Sequence, residues 1–140
     1  MLHRTAEQIA ALLNKQNQLA ISYTPEMILE HQDRYLVRMD VRMDNSLVLG
    51  VVAVTKVQWY QCEISHLSVG SNVRRHGIAK GLLRDAEAKA LQHGAKIAQC
   101  TIRGGNEASE ELFRGQGYTL TARFFNSESG NQVAVYQKVL

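Results

Sequence analysis

Between Glu63 and Leu83 the chain passes from a strand pattern to a helix pattern through a short turn rich in glycine and arginine. Glu63-Ile64-Ser65-His66-Leu67-Ser68-Val69 reads as the strand, and Gly70 to Gly77 as the turn. Beyond it Ala79, Leu82, Leu83, Ala86 and Ala90 recur at helical spacing. A helix start leaves its first backbone N–H groups without intrahelical partners and carries a partial positive charge. Gly77 and Ala79 allow a ligand close to that backbone, and Arg74 and Arg75 add positive charge beside it. The combination predicts a phosphate cradle made of Arg74, Arg75, His76, Gly77, Ile78, Ala79, Lys80 and Gly81. The bland alternative is an ordinary basic turn between a strand and a helix.

The 140 residues fit one domain, 1–140, and 45% hydrophobic content suits a globular core. The net charge of +3 is mild, and apart from Arg74-Arg75 the basic residues are scattered. A nucleic-acid surface is therefore not indicated. Polar residues interrupt every apolar run near Met1, so no leader pattern is visible, and no run approaches the ~18 apolar residues of a spanning helix. The expectation is a cytoplasmic protein without a membrane partner. Cys62 and Cys100 fall in predicted strands and read as buried thiols in a reducing compartment. They lack metal-ligand spacing and the histidines do not cluster, so no metal is expected.

In chain order, Thr5 with Gln8 reads as a capping box opening a helix that ends near Asn17. Thr24-Pro25 opens a second, short helix that stops near Gln32. Strands follow from Tyr35 to Arg42 and from Leu47 to Val57, with Asp44-Asn45-Ser46 as the turn between them. The Glu63 strand returns after a turn at Gln58 to Gln61, and a helix runs from Ile78 to His93, capped by Gly94. Ile97 to Arg103 is the next strand, Ala108 to Gln116 a short helix, and Tyr118 to Phe125 with Val133 to Val139 a closing hairpin. The order ααβββαβαββ predicts an α/β fold with a mixed, mostly antiparallel sheet of about six strands flanked by helices.

Neither the P-loop pattern nor the Gly-x-Gly-x-x-Gly dinucleotide pattern is present. Arg74-x-x-Gly77-x-Ala79 instead resembles the [Gln/Arg]-x-x-Gly-x-[Gly/Ala] pyrophosphate loop of the GNAT acetyltransferases. Downstream, Asn106, Leu112, Gly117 and Tyr118 match the family's Asn-x-x-Ala-x-x-Leu-Tyr-x-x-x-Gly-Phe motif, with Ser109 in place of its alanine and Phe113 in place of its tyrosine. The resemblance covers the chain from near Tyr35 to Leu140, and the N-terminal third shares only the layout. It implies acetyl-CoA as co-substrate, with its pyrophosphate on the Arg74 to Gly81 loop. The pantetheine arm would lie along Leu67, Ser68 and Val69, with Asn106 and Phe113 as further contacts. It also implies a splay between the Glu63 and Ile97 strands, and transfer of acetyl to a primary amine on a small molecule or a protein. The first two helices would wall the acceptor. Glu26, Glu30 and Asp33 there are either contacts for a basic substrate or solvated helix charges.

An attacking ammonium must first lose a proton. The resemblance puts Glu63 at the position of the general base, where partial burial would raise its proton affinity. His66 is the rival, with an ordinary pKa near neutrality, and water is the third candidate. In a regular strand Glu63 and His66 point to opposite faces. Phe113 stands where the family often has a tyrosine acid. The acid is then absent, replaced by Tyr118 or Tyr136, or replaced by bulk water. Two function classes follow: an acetyl-CoA-dependent N-acetyltransferase, and a catalytically weak acyl-CoA-binding module that regulates a partner protein. A nucleic-acid binder using Arg74-Arg75 ranks last, for want of interleaved aromatics. Strand edges near the C-terminus offer a route to a homodimer.

Overall fold

A computed structural model describes residues 1–16, 21–40, 47–73 and 77–140. The elements are α1 (His3–Gln16), α2 (Pro25–Glu30), β1 (Tyr35–Asp40), β2 (Leu47–Gln58), β3 (Gln61–Val69), α3 (Ile78–Gln92), β4 (Ile97–Arg103), α4 (Glu107–Gly115), β5 (Thr119–Asn126) and β6 (Asn131–Val139). Single 3-10 turns occur at Gln32–Arg34 and Ser71–Val73. This is the order expected from the sequence. The expected turn at Asp44-Asn45-Ser46 and the predicted end of the first helix at Asn17 lie outside the described residues. The strands form a six-stranded sheet in the order β1-β2-β3-β4-β6-β5. β3 and β4 run parallel, whereas β1–β2, β4–β6 and β5–β6 are antiparallel. The fold is the mixed, mostly antiparallel α/β sheet with flanking helices that the pattern implies. Its chain divides into two compact units, Met1–Val54 with His66–Ala86, and Thr55–Ser65 with Glu87–Leu140.

In the first unit α1 turns Ala6, Ile9, Ala10 and Leu13 onto one face, and these pack with Ile28, Val48 and Val51 as its core. The capping box expected at Thr5 and Gln8 is not there. The helix begins two residues earlier, at His3, and the Gln8 side chain accepts the Val48 N–H of β2 at 2.8 Å instead. A strand donor forty residues away thus takes the group that local spacing assigned to the helix end. At α2 the local reading holds. Thr24 Oγ1 accepts from Met27 N at 3.3 Å, with Pro25 in the first turn. The β1–β2 ladder pairs Arg38 with Gly50 but Met39 with Val48, so Leu49 is an extra residue in β2.

In the second unit β6 is flanked by β4 and β5, and Ala98, Cys100, Ile102, Ala134 and Tyr136 are buried. The end of α3 is closed by Gly94 at φ +82°, with Ala95 N donating to Ala90 O at 3.0 Å. Two carboxylates hold the unit's polar interior. Glu110 of α4 accepts from Tyr136 Oη at 2.7 Å and from Arg123 Nη2 at 2.8 Å. Glu87 of α3 accepts from Tyr118 Oη at 2.8 Å and from Lys138 Nζ at 3.1 Å. β5 ends the sheet and leaves Leu120, Phe124 and Phe125 exposed.

Tyr136 has no exposed surface, so its hydroxyl has no solvent to turn to. Tyr136→Phe leaves Glu110 held by Arg123 alone. It should cost about 1–3 kcal/mol of stability, read as a shift in the urea midpoint at unchanged slope.

Candidate functional site

In the first unit the turn and the head of α3 are built against β2. Gly50 is the key position, because a side chain there would come within 2.9 Å of Leu82 Cδ1, 3.1 Å of Ile78 Cγ2 and 3.2 Å of the Ser68 carbonyl. Its bare backbone therefore lets the first turns of α3 and the end of β3 close onto β2 together. Gly70 N donates to the carbonyl of the extra residue Leu49 at 2.9 Å, which ties down the start of the turn. Arg38 of β1 pairs with Asp85 of α3 at 2.7 Å, and its guanidinium lies 3.1 Å from where a Gly81 side chain would begin.

Gly77 has φ +74°, a conformation that other residues adopt only with strain, and among the described residues nothing lies within 4 Å of the side chain it lacks. Its carbonyl accepts from Gly81 N at 3.0 Å, which starts α3. The N–H groups of Ile78, Ala79 and Lys80 are thus the first-turn donors of a 15-residue helix, beside an open approach. Arg74, Arg75 and His76 lie outside the described residues.

His66 departs from the expected strand. Its φ is +55°, the left-handed region, so the regular alternation assumed for β3 fails there. Such a backbone suits glycine or asparagine, and a bulky residue in it is held by its surroundings. Here Ser68 Oγ donates to the His66 carbonyl at 3.2 Å. The imidazole Nε2 lies 3.0 Å from Tyr23 Oη, with the two rings edge to face at 5.3 Å. Tyr23 is itself clamped through its backbone by Asn14, whose side chain accepts from Tyr23 N at 2.8 Å and donates to Tyr23 O at 2.9 Å. Burial holds the imidazole pKa below its ordinary value, so the ring is neutral at pH 7.

In the second unit Glu63 is half-buried on β3. Gln99 Nε2 of β4 donates to Glu63 Oε2 at 3.2 Å, and Gln137 Nε2 of β6 donates to Gln99 Oε1 at 2.6 Å. Burial raises the Glu63 pKa above the ordinary carboxylate range, and the Gln99 amide draws it part of the way back. Cys100, buried on β4, has its thiol pushed up to about 12 by burial and by the Glu63 charge. Among the described residues the parallel ladder joins Gln61–Glu63 to Ile97–Gln99. Leu67, Ser68 and Val69 follow in sequence.

Asn106 caps α4, its Oδ1 accepting from Ser109 N at 3.3 Å. Phe113 is 5% exposed and packs edge to face on Tyr118 at 5.0 Å. Burial, then the hydrogen bond to Glu87, raises the Tyr118 pKa. The bond to Glu110 does the same at Tyr136. Both tyrosines weighed as substitutes for the tyrosine acid thus keep their protons and donate them in hydrogen bonds to carboxylates. Tyr23, Asn14, Gln99 and Gln137 did not emerge from sequence. Gln99, a polar residue in the middle of the apolar run Ile97 to Ile102, was the readable signal. Among the described residues no group of three or more His, Cys, Asp or Glu is placed to hold a metal ion, and no helix is long and apolar enough to cross a membrane.

The family model described as "Acetyltransferase (GNAT) family" matches residues 6–118. No curated protein sequence matches the chain significantly. Among solved structures, an N-acetyltransferase from Staphylococcus aureus Mu50 is 19% identical with a TM-score of 0.81, over 99% of this chain and 94% of that one. The ribosomal-protein-alanine N-acetyltransferase of Brucella melitensis is 23% identical with a TM-score of 0.80, over 100% and 97% of the two chains. A GNAT family acetyltransferase from Elizabethkingia anophelis with acetyl-CoA bound is 15% identical with a TM-score of 0.73, over 93% and 89%. At these identities the likeness shows the fold.

The seat of α3 on β2 is open to direct test. Gly50→Ala must displace Leu82 or the Ser68 carbonyl, and overpacking of this kind costs about 1–3 kcal/mol. Chemical denaturation should show that loss, while Gly94→Ala should cost only the strain of its positive φ, since among the described residues nothing lies within 4 Å of the side chain it lacks.

Proposed function

The chain belongs to the GNAT acetyltransferase family, and on that premise we propose that it moves the acetyl group of acetyl-CoA to a primary amine by direct attack. The observation that carries the reading is the turn at the head of α3. Gly77 leaves an open approach there to the first N–H groups of a long helix. Those donors suit the pyrophosphate of coenzyme A, and in sequence Arg74, Arg75 and His76 stand directly before them. The acetyl-CoA bound to the Elizabethkingia neighbour supports the same co-substrate.

Acetyl-CoA supplies a thioester, an acyl group already joined to a good leaving group. The chain's residues then have three tasks. Backbone groups of Leu67, Ser68 and Val69 pair with the amide-bearing pantetheine arm and offer an N–H to the thioester carbonyl. Glu63 takes the proton that the attacking ammonium must lose, and burial, by raising its pKa, makes it a stronger base than a solvated carboxylate. The amine nitrogen forms the new C–N bond as the C–S bond breaks, its second proton passes to water, and the thiolate departs with no tyrosine at position 113 to protonate it. A coenzyme A thiolate is stable enough to leave unassisted, with water as the eventual proton source.

The acceptor is a primary amine. The name of the Brucella neighbour puts protein amines beside small amines among the candidates. A second reading, a catalytically weak acyl-CoA-binding module that controls a partner, is favoured by the buried Phe113 ring in place of the acid. Thiol release from acetyl-CoA over a panel of amines separates the two. Turnover with any amine supports transfer, and binding without turnover supports the module.

Calorimetry should detect acetyl-CoA binding by the wild type and none by Gly77→Asp. That side chain would fill the open approach and repel phosphate. Equal affinity for both proteins would sink the assignment.

Glu63→Gln keeps the shape and removes the proton acceptor. Turnover should fall ~10²-fold or more while acetyl-CoA affinity is nearly unchanged. The base works only when ionised, so kcat/KM should fall as pH drops through the Glu63 pKa. That limb should lie above the ordinary carboxylate range because burial raises this group. If turnover survives in Glu63→Gln but is lost in His66→Asn, which keeps a residue tolerant of the +55° backbone, His66 is the base.

A further inference from the structure

Glu63, Gln99 and Gln137 occupy one row across three strands. Glu63 is the register partner of Gln99 in the parallel β3–β4 ladder, and Gln99 is the partner of Gln137 in the antiparallel β4–β6 ladder. Residues paired in this way point to the same face of the sheet. Their side chains are joined end to end, from Gln137 Nε2 to Gln99 Oε1 at 2.6 Å and from Gln99 Nε2 to Glu63 Oε2 at 3.2 Å. A glutamine amide has one accepting oxygen and one donating nitrogen. Gln137 donates to the oxygen of Gln99, and so the nitrogen of Gln99 is turned toward the carboxylate. The flipped amide would set two oxygens against each other at Glu63 and two donors against each other at Gln137.

We propose that Gln99 and Gln137 are positioning residues for the acetyl transfer, holding the Glu63 carboxylate through a directed chain of amide hydrogen bonds that crosses β6, β4 and β3. The inference rests on the reading of Glu63 as the base. An amide suits the task because it carries no charge. A lysine or arginine at position 99 would form an ion pair and keep the carboxylate a poor base. An apolar residue would leave it unheld and opposed only by burial. All three residues sit on paired strands, which fix their side chains more tightly than loops do.

The surrounding titratable groups are few. Cys62 precedes Glu63 on β3, Cys100 follows Gln99 on β4, and Tyr136 and Lys138 flank Gln137 on β6, with Lys138 paired to Glu87 of α3. Burial raises the Cys62 and Cys100 thiols, so both stay neutral through the range in which a carboxylate titrates. Neither thiol therefore competes with Glu63 as it ionises. Loss of the Gln99 donor removes a stabiliser of the charged form, and the midpoint must move up.

The test is the carboxyl-carbon NMR titration of Glu63, assigned by its absence in Glu63→Gln, in wild type, Gln99→Met and Gln137→Met. Gln99→Met should raise the midpoint, and Gln137→Met should raise it less, because Gln99 remains but is free to flip. Gln99→Asn, too short to reach, repeats the first result if methionine disturbs packing. In turnover, kcat/KM of Gln99→Met should be about three- to tenfold lower at the acid end and little changed at the alkaline end. In a Glu63→Gln background the same substitution should add nothing. Midpoints unmoved in every variant overturn the proposal, whether or not the enzyme turns over. If the midpoints move but Glu63→Gln keeps full turnover, the assignment of Glu63 as base fails instead, and the chain's hold on the carboxylate stands.

Discussion

Gly50 is where β2, the end of β3 and the head of α3 meet closely enough that a side chain would have to push its neighbours aside. The neighbouring residue Leu49 is extra in the ladder, and its carbonyl receives the Gly70 N–H. A bare position and a bulge, side by side in one strand, thus fix both the start of the turn and the helix that ends it. Gly77, at positive φ, stands directly before the first turn of α3. The phosphate-binding reading depends on this seat. First-turn N–H groups serve a ligand only if the helix head is held in place, and here it is held by contact with the sheet.

Carboxylates organise the second unit in two different ways. Glu87 and Glu110 each receive a tyrosine hydroxyl and a cation, and they act as structural anchors. Glu63 receives a neutral amide and no cation among the described residues. The same side-chain chemistry is structural where its charge is matched. It is chemically available where burial is left to raise its proton affinity. The two anchors also account for the hydroxyls. Tyr118 and Tyr136 donate to them, so each hydroxyl is already engaged as it stands.

Element order was legible from the chain because each piece carries its own period or punctuation. Thr24-Pro25 opens α2, Gly94 closes α3, and Ile97 to Arg103 is a strand with the bounds read from sequence. What failed were features decided by distant partners. Thr5 and Gln8 have capping-box spacing, yet Gln8 bonds Val48 in a strand that local reading cannot bring near it. The strand from Leu47 to Val57 was visible, but not that its Gly50 is the seat of a helix. His66 looked like a regular strand residue, because nothing in Ser65-His66-Leu67 announces a left-handed backbone. The loop motif and the Asn106 to Tyr118 motif were readable as patterns. The hydrogen bonds that hold Glu63 come from Gln99 and Gln137, which no motif contains.

The placement of Glu63 explains why a strand rather than a loop would carry the proposed base. Glu63 and Gln99 form the final pair of the described β3–β4 ladder. At that point the backbone is still fixed by its neighbours, and the pairing that covers the side chain's surroundings ends. A carboxylate one turn deeper in a ladder would be buried by both flanking strands and pushed toward the neutral form. On a solvated loop it would keep the ordinary carboxylate range and bind its proton too weakly to draw one from an ammonium. The last ladder pair gives half-burial with a fixed direction, and the amide from the adjacent strand offsets part of the burial without supplying a counter-charge. The proposed base would thus owe both its fixed direction and its raised proton affinity to the sheet's own pairing pattern.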